Sequence, residues 1–211
     1  MDSNVGTVPF VKKTSPFIVA IAGNGHGAGK TTFGDFIADV LARVYSLQSI
    51  RLPLALPLKD FCTDLYGVPF NWVTKDEYNK EIGAVPRSVL IDVGQALTSH
   101  YPTIFVEALC RRVKRDFANE NFYTPSIIIV DDLRFQVELE TLKKTFPNAV
   151  LSCFIERKKA KNEFKNASMD ANLVHEMSVR FSNNSDLGRL YTCACDIAKE
   201  IAERVAAKED E

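Results

Sequence analysis

Long apolar runs are missing from this 211-residue chain. No stretch approaches the ~18 consecutive apolar residues that a membrane-spanning helix needs. The N-terminal segment MDSNVGTVPFVKKTSP holds no apolar core of the kind a secretory signal carries. Cysteine is sparse and odd in number, five in all, with no CxxC pair. That pattern offers neither a disulfide framework nor a zinc site, and it suits a reducing compartment. An excess of charge is lacking as well. Lys and Arg total 26 against 27 Asp and Glu, so the net charge is −1. A chain so balanced does not advertise stable nucleic-acid binding. Charge is local instead, basic in 156-ERKKAKNEFK-165 and acidic in 208-KEDE-211, and solvated surface accounts for runs of this kind. Repeats, low-complexity segments and the N-K-x-D guanine-reading motif are also absent. These absences point to one cytoplasmic domain spanning 1–211, with no membrane partner.

What is present has the rhythm of an α/β protein. The run 17-FIVAIA-22 is continuous, apolar and bounded by Gly23, as expected of a strand buried on both faces. In KTTFGDFIADVLARVY, residues Phe33, Phe36, Ile37, Val40, Leu41 and Val44 fall at helical spacing. Further strands are predicted at 49–55, 126–132, 149–156 and 179–182, and a helix at 136–146. A closing helix runs from about Asp186 to Ala207, with Leu187, Leu190, Ala194, Ile197 and Ile201 on one face. The expected fold is a three-layer α/β/α arrangement around a mostly parallel sheet. Its core covers about 16–55 and 122–207. Residues 56–120 interrupt the alternation with helical patterns at 86–97 and 103–117, and residues 1–15 form a loose leader.

The chemistry begins at 22-AGNGHGAGKTT-32. A phosphate-binding P-loop reads G-x-x-x-x-G-K-[ST] between a strand and a helix. Gly29, Lys30 and Thr31 supply its end, but counting back from Gly29 reaches Asn24, between Gly23 and Gly25. The loop carries a spare glycine and misses the strict register. Such a loop works by aiming backbone N–H groups at phosphate oxygens in front of a helix N-terminus. Asn24, Gly25, His26, Gly27, Ala28, Gly29, Lys30, Thr31 and Thr32 are therefore the candidate ATP-binding residues. Lys30 would bridge the β- and γ-phosphates, and the Thr31 hydroxyl would ligate Mg²⁺. His26 is assigned to the loop rim, without a catalytic role. A second acid for Mg²⁺ is expected at a strand end, and IIIVDD offers Asp131 and Asp132. Arg134, two residues on, is suited to an acceptor phosphate because guanidinium makes bidentate bonds to phosphate oxygens.

The segment 131-DDLRFQVE-138 resembles the D-[VL]-R-F-x-x-E signature of the phage-type deoxynucleoside monophosphate kinases. The segment 52-LPLALPLKDF-61 is similar to that family's apolar-A-x-P-L-K step, and 87-RSVLIDVGQALTSHYPTIFVEAL-109 to its R-x-h-L-x-x-h-G helix and the aromatic-led helix after it. Residues 173-LVHE-176 and 181-FSNNSDLGRL-190 resemble its lid end and the turn before its last helix. The chain departs from the pattern at Ile91, where the family has glutamine. It departs again near Thr98–His100, where an arginine is missing, and at Phe105 in place of tryptophan. The resemblance places these positions in the acceptor pocket.

The resemblance implies a kinase that uses ATP and Mg²⁺ to phosphorylate a small-molecule nucleotide, with a helical acceptor-binding insertion over 56–120 and a lid over 157–178. Lys30, Asp132, Arg134 and Arg157 would be catalytic, and Thr31 and Asp132 would hold the metal. Lys59, Arg87, Asp131, Asp132, Arg134, Glu176 and Arg180 would bind the substrate. A homodimer and a host-cell setting follow from the same resemblance. Two neighbouring activities stay open: a P-loop kinase acting on a hydroxymethyl pyrimidine within DNA, and a dephospho-coenzyme A kinase-like enzyme. A Ser–His–Asp or cysteine nucleophile is not required, since phosphoryl transfer rests on positioning and charge. Cys193 and Cys195 are read as core residues of the last helix.

Overall fold

The computed structural model describes residues 16–70, 74–118, 126–162 and 170–209. The leader and residues 163–169 of the expected lid lie outside them. Five strands form the main sheet: β1 (Phe17–Gly23), β3 (Ser49–Arg51), β4 (Ile127–Val130), β5 (Val150–Glu156) and β7 (Val179–Ser182). Their order is β3-β4-β1-β5-β7, and every pairing is parallel. Two short strands, β2 (Gly25–His26) and β6 (Lys161–Asn162), form a separate antiparallel pair.

The strands alternate faces with a period of two, as pleating requires. Ile18, Ala20 and Ala22 enter one core with Ile128, Val130 and Phe154. Phe17, Val19 and Ile21 enter the other with Ile127, Ile129 and Ile155. The first core is closed by α4 (Ile104–Ala118) and α5 (Gln136–Thr145), through residues such as Leu109 and Leu139. The second is closed by α1 (Lys30–Tyr45) and α7 (Leu187–Glu209), through Phe33, Ile37, Ala194 and Ile201. Both layers flank a parallel sheet, so β1 and β4 are buried along their whole lengths. A third core gathers Leu58, Cys62, Phe70 and Val89 between α2 (Leu56–Tyr66) and α3 (Pro86–His100), over residues that the sequence assigns to the insertion.

Two expectations are corrected. The second strand stops at Arg51 instead of reaching residue 55. Leu52 still donates to the Ile129 carbonyl at 2.9 Å, but Pro53 has no N–H to continue the ladder, and α2 starts at Leu56 with a proline in its first turn. Leu187 is 65% exposed rather than on the apolar face of the last helix. Leu190 already sits against Gly29, where α1 begins, so the turn before it has no α1 beneath.

The chain runs from β1 to β3 at one edge and from β4 to β5 and β7 toward the other, so a switch point lies between the paired strands β1 and β4. In open α/β sheets a crevice for ligands forms at the carboxyl ends of the strands at such a point. A short helix, α6 (Leu173–Glu176), packs on α5.

The spare glycine has its explanation here. A Cβ on Gly23 would lie 2.9 Å from the Ile155 carbonyl oxygen and 3.0 Å from the Ala28 Cβ. Gly23 therefore serves the close approach of β1, β5 and the returning loop, ahead of the glycines that lead into α1. Gly23→Ala is expected to lower the unfolding free energy by about 1–3 kcal/mol, the cost of overpacking a rigid site, measured by chemical denaturation.

Candidate active site

The glycine loop is tied down on both sides. Asn24 makes a reciprocal pair with Arg157: its Nδ2 donates to the Arg157 carbonyl, and its Oδ1 accepts from the Arg157 N–H, both at 3.0 Å. The Arg157 guanidinium also donates to the Gly27 carbonyl at 3.0 Å. From the other side, Asn183 Nδ2 donates to the Ala28 carbonyl at 2.8 Å. Gly25 and His26 pair with Asn162 and Lys161, so the loop's outer part is joined to the chain leaving β5. His26 and Gly27 are exposed and Ala28 is buried.

Gly29 caps α1 with φ +102°, a left-handed conformation that suits glycine. A Cβ there would meet Asn183 Nδ2 at 2.5 Å. Having no side chain, Gly29 offers α1 no side-chain cap, and the first turn contains no acid. The N-terminus of this 16-residue helix is thus left with the partial positive charge that attracts phosphate. Lys30 folds back, its Nζ donating to the Gly25 carbonyl at 3.0 Å. Thr32 is half-buried next to it.

The two acids after β4 have different surroundings. Asp131 is buried, and its Oδ2 accepts from the Thr31 hydroxyl at 2.9 Å. Arg51, held by Asp35 at 2.9 Å, lies 4.0 Å from the same oxygen. Asp132 turns the other way, and its two oxygens accept from the Leu54 and Ala55 amides at 2.7 and 2.9 Å. Burial pushes its carboxyl above the ordinary range, against the pull of those two amides. The sequence pairs Thr31 with Asp132, with Asp131 beside it. In the structure the acid that meets Thr31 is Asp131, because β4 ends at Val130 and the next two side chains part to opposite sides. A threonine hydroxyl and a carboxylate form a hard oxygen pair, the donor type that Mg²⁺ takes beside phosphate and water oxygens, so the residues present fit that ion.

A cavity of about 590 Å³ opens beside Asp132, between α2, α3 and the start of α5. Leu58, Leu90 and Phe105 contribute apolar wall, and Arg134, Glu138 and Asp170 contribute charge. Glu138 supplies the return half of a capping box on α5, its Oε2 accepting from the Arg134 and Phe135 amides at 2.8 and 2.9 Å, while Phe135 offers no side-chain acceptor for the other half. Burial pushes the Glu138 carboxyl up to about 7. Sequence reading quotes this glutamate in the D-L-R-F segment without giving it a role, and the E three residues after the cap is the signal that could have shown it.

The remaining candidates are spread around these features. Lys59 is half-buried on α2. Burial lowers its pKa, with Lys75 adding to the effect while Asp132 and Asp131 oppose it. Arg87, at the start of α3, is engaged by Asp76, with Nε–Oδ1 at 2.5 Å and Nη2–Oδ2 at 3.2 Å. Arg180 lines a second cavity of about 400 Å³ with Asn24 and Glu156. Glu176, exposed on α6, offers its carbonyl to Lys143 at 3.2 Å. Neither Arg87 nor Glu176 lines either cavity. Sequence reasoning passed over Asn183 as a role-bearing residue, although the N-rich turn was visible, and it passed over Arg51 altogether.

No protein-family model matches the chain, and no curated protein matches it. Among solved structures, the chain is similar to a gluconokinase from Sinorhizobium meliloti 1021, with 12% identity, 92% of this chain and 97% of that chain covered, and a TM-score of 0.46. No helix among the described residues is long and apolar enough to cross a membrane.

Glu138 yields a pH-dependent expectation. Its folded-state pKa of about 7 stands above the ordinary carboxyl value of 4.5, so the folded chain holds this proton more tightly than the unfolded chain. Its contribution to stability is then lost as pH rises from about 4.5 through 7. Glu138→Gln cannot ionise. Its stability relative to the parent chain is expected to rise by up to about 3 kcal/mol across that window, at about 1.4 kcal/mol per pH unit, measured as the difference between denaturation curves at pH 5 and 8.

Proposed function

We propose that the chain transfers the γ-phosphoryl group of Mg·ATP to the 5′-phosphate of a deoxynucleoside monophosphate, giving ADP and the diphosphate. The observation that carries this reading is a juxtaposition. The glycine loop and the Thr31–Asp131 pair lie on one side of the β4 end, and a cavity of about 590 Å³ with Arg134 in its wall lies on the other.

In the proposed reaction an oxygen of the acceptor phosphate bonds to the γ-phosphorus, and the bond from that phosphorus to the β–γ bridging oxygen breaks. The work left to the protein is alignment and charge stabilisation. The loop amides and the α1 N-terminus would cradle the β- and γ-phosphates. Lys30 would leave the Gly25 carbonyl and turn to the phosphate oxygens. Thr31 and Asp131 would hold Mg²⁺, which when bound supplies positive charge to the phosphate oxygens. Arg134, with Lys59 near Asp131 and Asp132, would hold the acceptor phosphate against the donor. Asp132, bonded to the Leu54 and Ala55 amides, would fix the β3–α2 turn that forms the cavity wall. Arg157 is already bonded to the loop, and it would move with the chain leaving β5 and shield the transferring group from water.

The apolar walls suit a nucleobase better than a bare polyol, since Leu58, Leu90 and Phe105 offer little to hydroxyl groups. ADP release from Mg·ATP is expected to depend on added deoxynucleoside monophosphate. Release that no monophosphate accelerates, alongside transfer to hydroxymethylated DNA, would move the activity to a DNA acceptor.

Two substitutions separate the donor and acceptor sides. Lys30→Ala is expected to lower kcat by at least about 100-fold, the loss seen when one preorganised charge-stabilising donor is removed, with an unchanged unfolding midpoint. Full activity in that variant would remove the loop from the reaction. Arg134→Ala is expected to raise the acceptor KM by about 10-fold or more, as befits a charge-assisted phosphate bond, while the ATP KM stays within a factor of about two. An unchanged acceptor KM and kcat would remove Arg134 from the site.

A further inference from the structure

Gly94 lines the larger cavity without a side chain. It lies in the middle of the 15-residue helix α3, where glycine weakens a helix relative to alanine. Its backbone does not call for glycine, because its φ is not positive. Close packing does not call for it either. Apart from the backbone of its own helix, a Cβ on Gly94 would meet one atom of the described residues within 4 Å, the Leu58 Cδ2 at 3.2 Å. That atom ends a flexible side chain which itself lines the cavity, so it has room to give. Leu90 and Thr98, one turn before and one turn after Gly94, line the same cavity. Residues four apart share a helix face, so a side chain at position 94 would stand in the cavity.

On the reading that this cavity receives a nucleoside monophosphate, we infer that Gly94 gives the base its room and that any side chain at this position shuts the base out. The space beside Leu58 that a Cβ would fill is left to the ligand. Leu58, Leu90 and Phe105 make this part of the wall apolar, as the flat face of a base requires. Helix backbone that no Cβ covers lets such a face approach closely, which is one of the uses of glycine. The helix gives up some of its own stability at this position, and burial of the base offsets that loss only when the ligand is bound.

The test compares the parent chain with Gly94→Ala and Gly94→Leu. Dissociation constants are measured by calorimetry for dAMP, dGMP, dCMP, dTMP and Mg·ATP, together with the unfolding midpoint. The best-bound monophosphate is expected to weaken by about 10-fold in Gly94→Ala and by about 100-fold or more in Gly94→Leu, as a misfit of one to several carbon atoms in an apolar pocket dictates. Affinity for Mg·ATP is expected to stay within a factor of about two, and the midpoint of Gly94→Ala to lie at or above that of the parent, since alanine favours the helix. Monophosphate affinity left unchanged by Gly94→Ala would overturn the inference, and so would an equal loss of affinity for Mg·ATP. A lower midpoint in Gly94→Ala, with or without a change in affinity, would assign Gly94 to the packing of α2 on α3 and overturn it as well. If the parent chain binds none of the four monophosphates, the underlying monophosphate reading fails and this inference falls with it.

Discussion

The Thr31–Asp131 hydrogen bond, 2.9 Å long, joins residues 100 positions apart and fixes the geometry of the candidate site. It depends on the parallel pairing of β1 with β4, which brings the first residues of α1 level with the first residues after β4. A one-residue change in that register would turn Asp131 away, because successive strand residues face opposite sides of the sheet. The buried Ile, Val and Ala residues of both strands make such a slip costly, since it would exchange the two cores. The geometry of the candidate site is thus anchored in core packing more than in any local feature of the loop.

Around that anchor, the loop is held by side chains from distant elements. Asn24 and Arg157 pair across β1 and β5, and Asn183 reaches the Ala28 carbonyl from the turn before α7. These bonds satisfy loop carbonyls, while two loop amides are themselves committed, Asn24 to the Ile155 carbonyl at 3.1 Å and Ala28 to the Gly25 carbonyl at 3.2 Å. The extended loop also pairs through β2 with β6, so its outer part shares a backbone ladder with the chain leaving β5. A shift of that chain would therefore be felt by the loop directly, without an intervening side-chain relay.

Much of this was legible in the sequence. The continuous apolar runs at 17–22 and 126–130 announced central strands, because only burial on both faces explains their lack of polar alternation. The G-K-T triplet between strand and helix marked the loop that opens α1. What could not be read was direction. Asp131 and Asp132 are adjacent and chemically alike, and which one meets Thr31 is decided by where β4 ends. Gly23 looked like a misplaced loop glycine, and its close contact with the Ile155 carbonyl comes from a strand about 130 residues away, as the β1–β5 register sets it.

The central claim is that a donor at the loop and an acceptor in the cavity lie in line across the β4 end. The most direct test is the affinity of a single molecule spanning both: a polyphosphate joining adenosine at one end to a deoxynucleoside at the other, measured by calorimetry with Mg²⁺. If both sites are engaged at once, its dissociation constant is expected to fall at least about 100-fold below that of ATP, as linkage of two binding events allows. A spanning molecule that binds no more tightly than ATP would contradict the account.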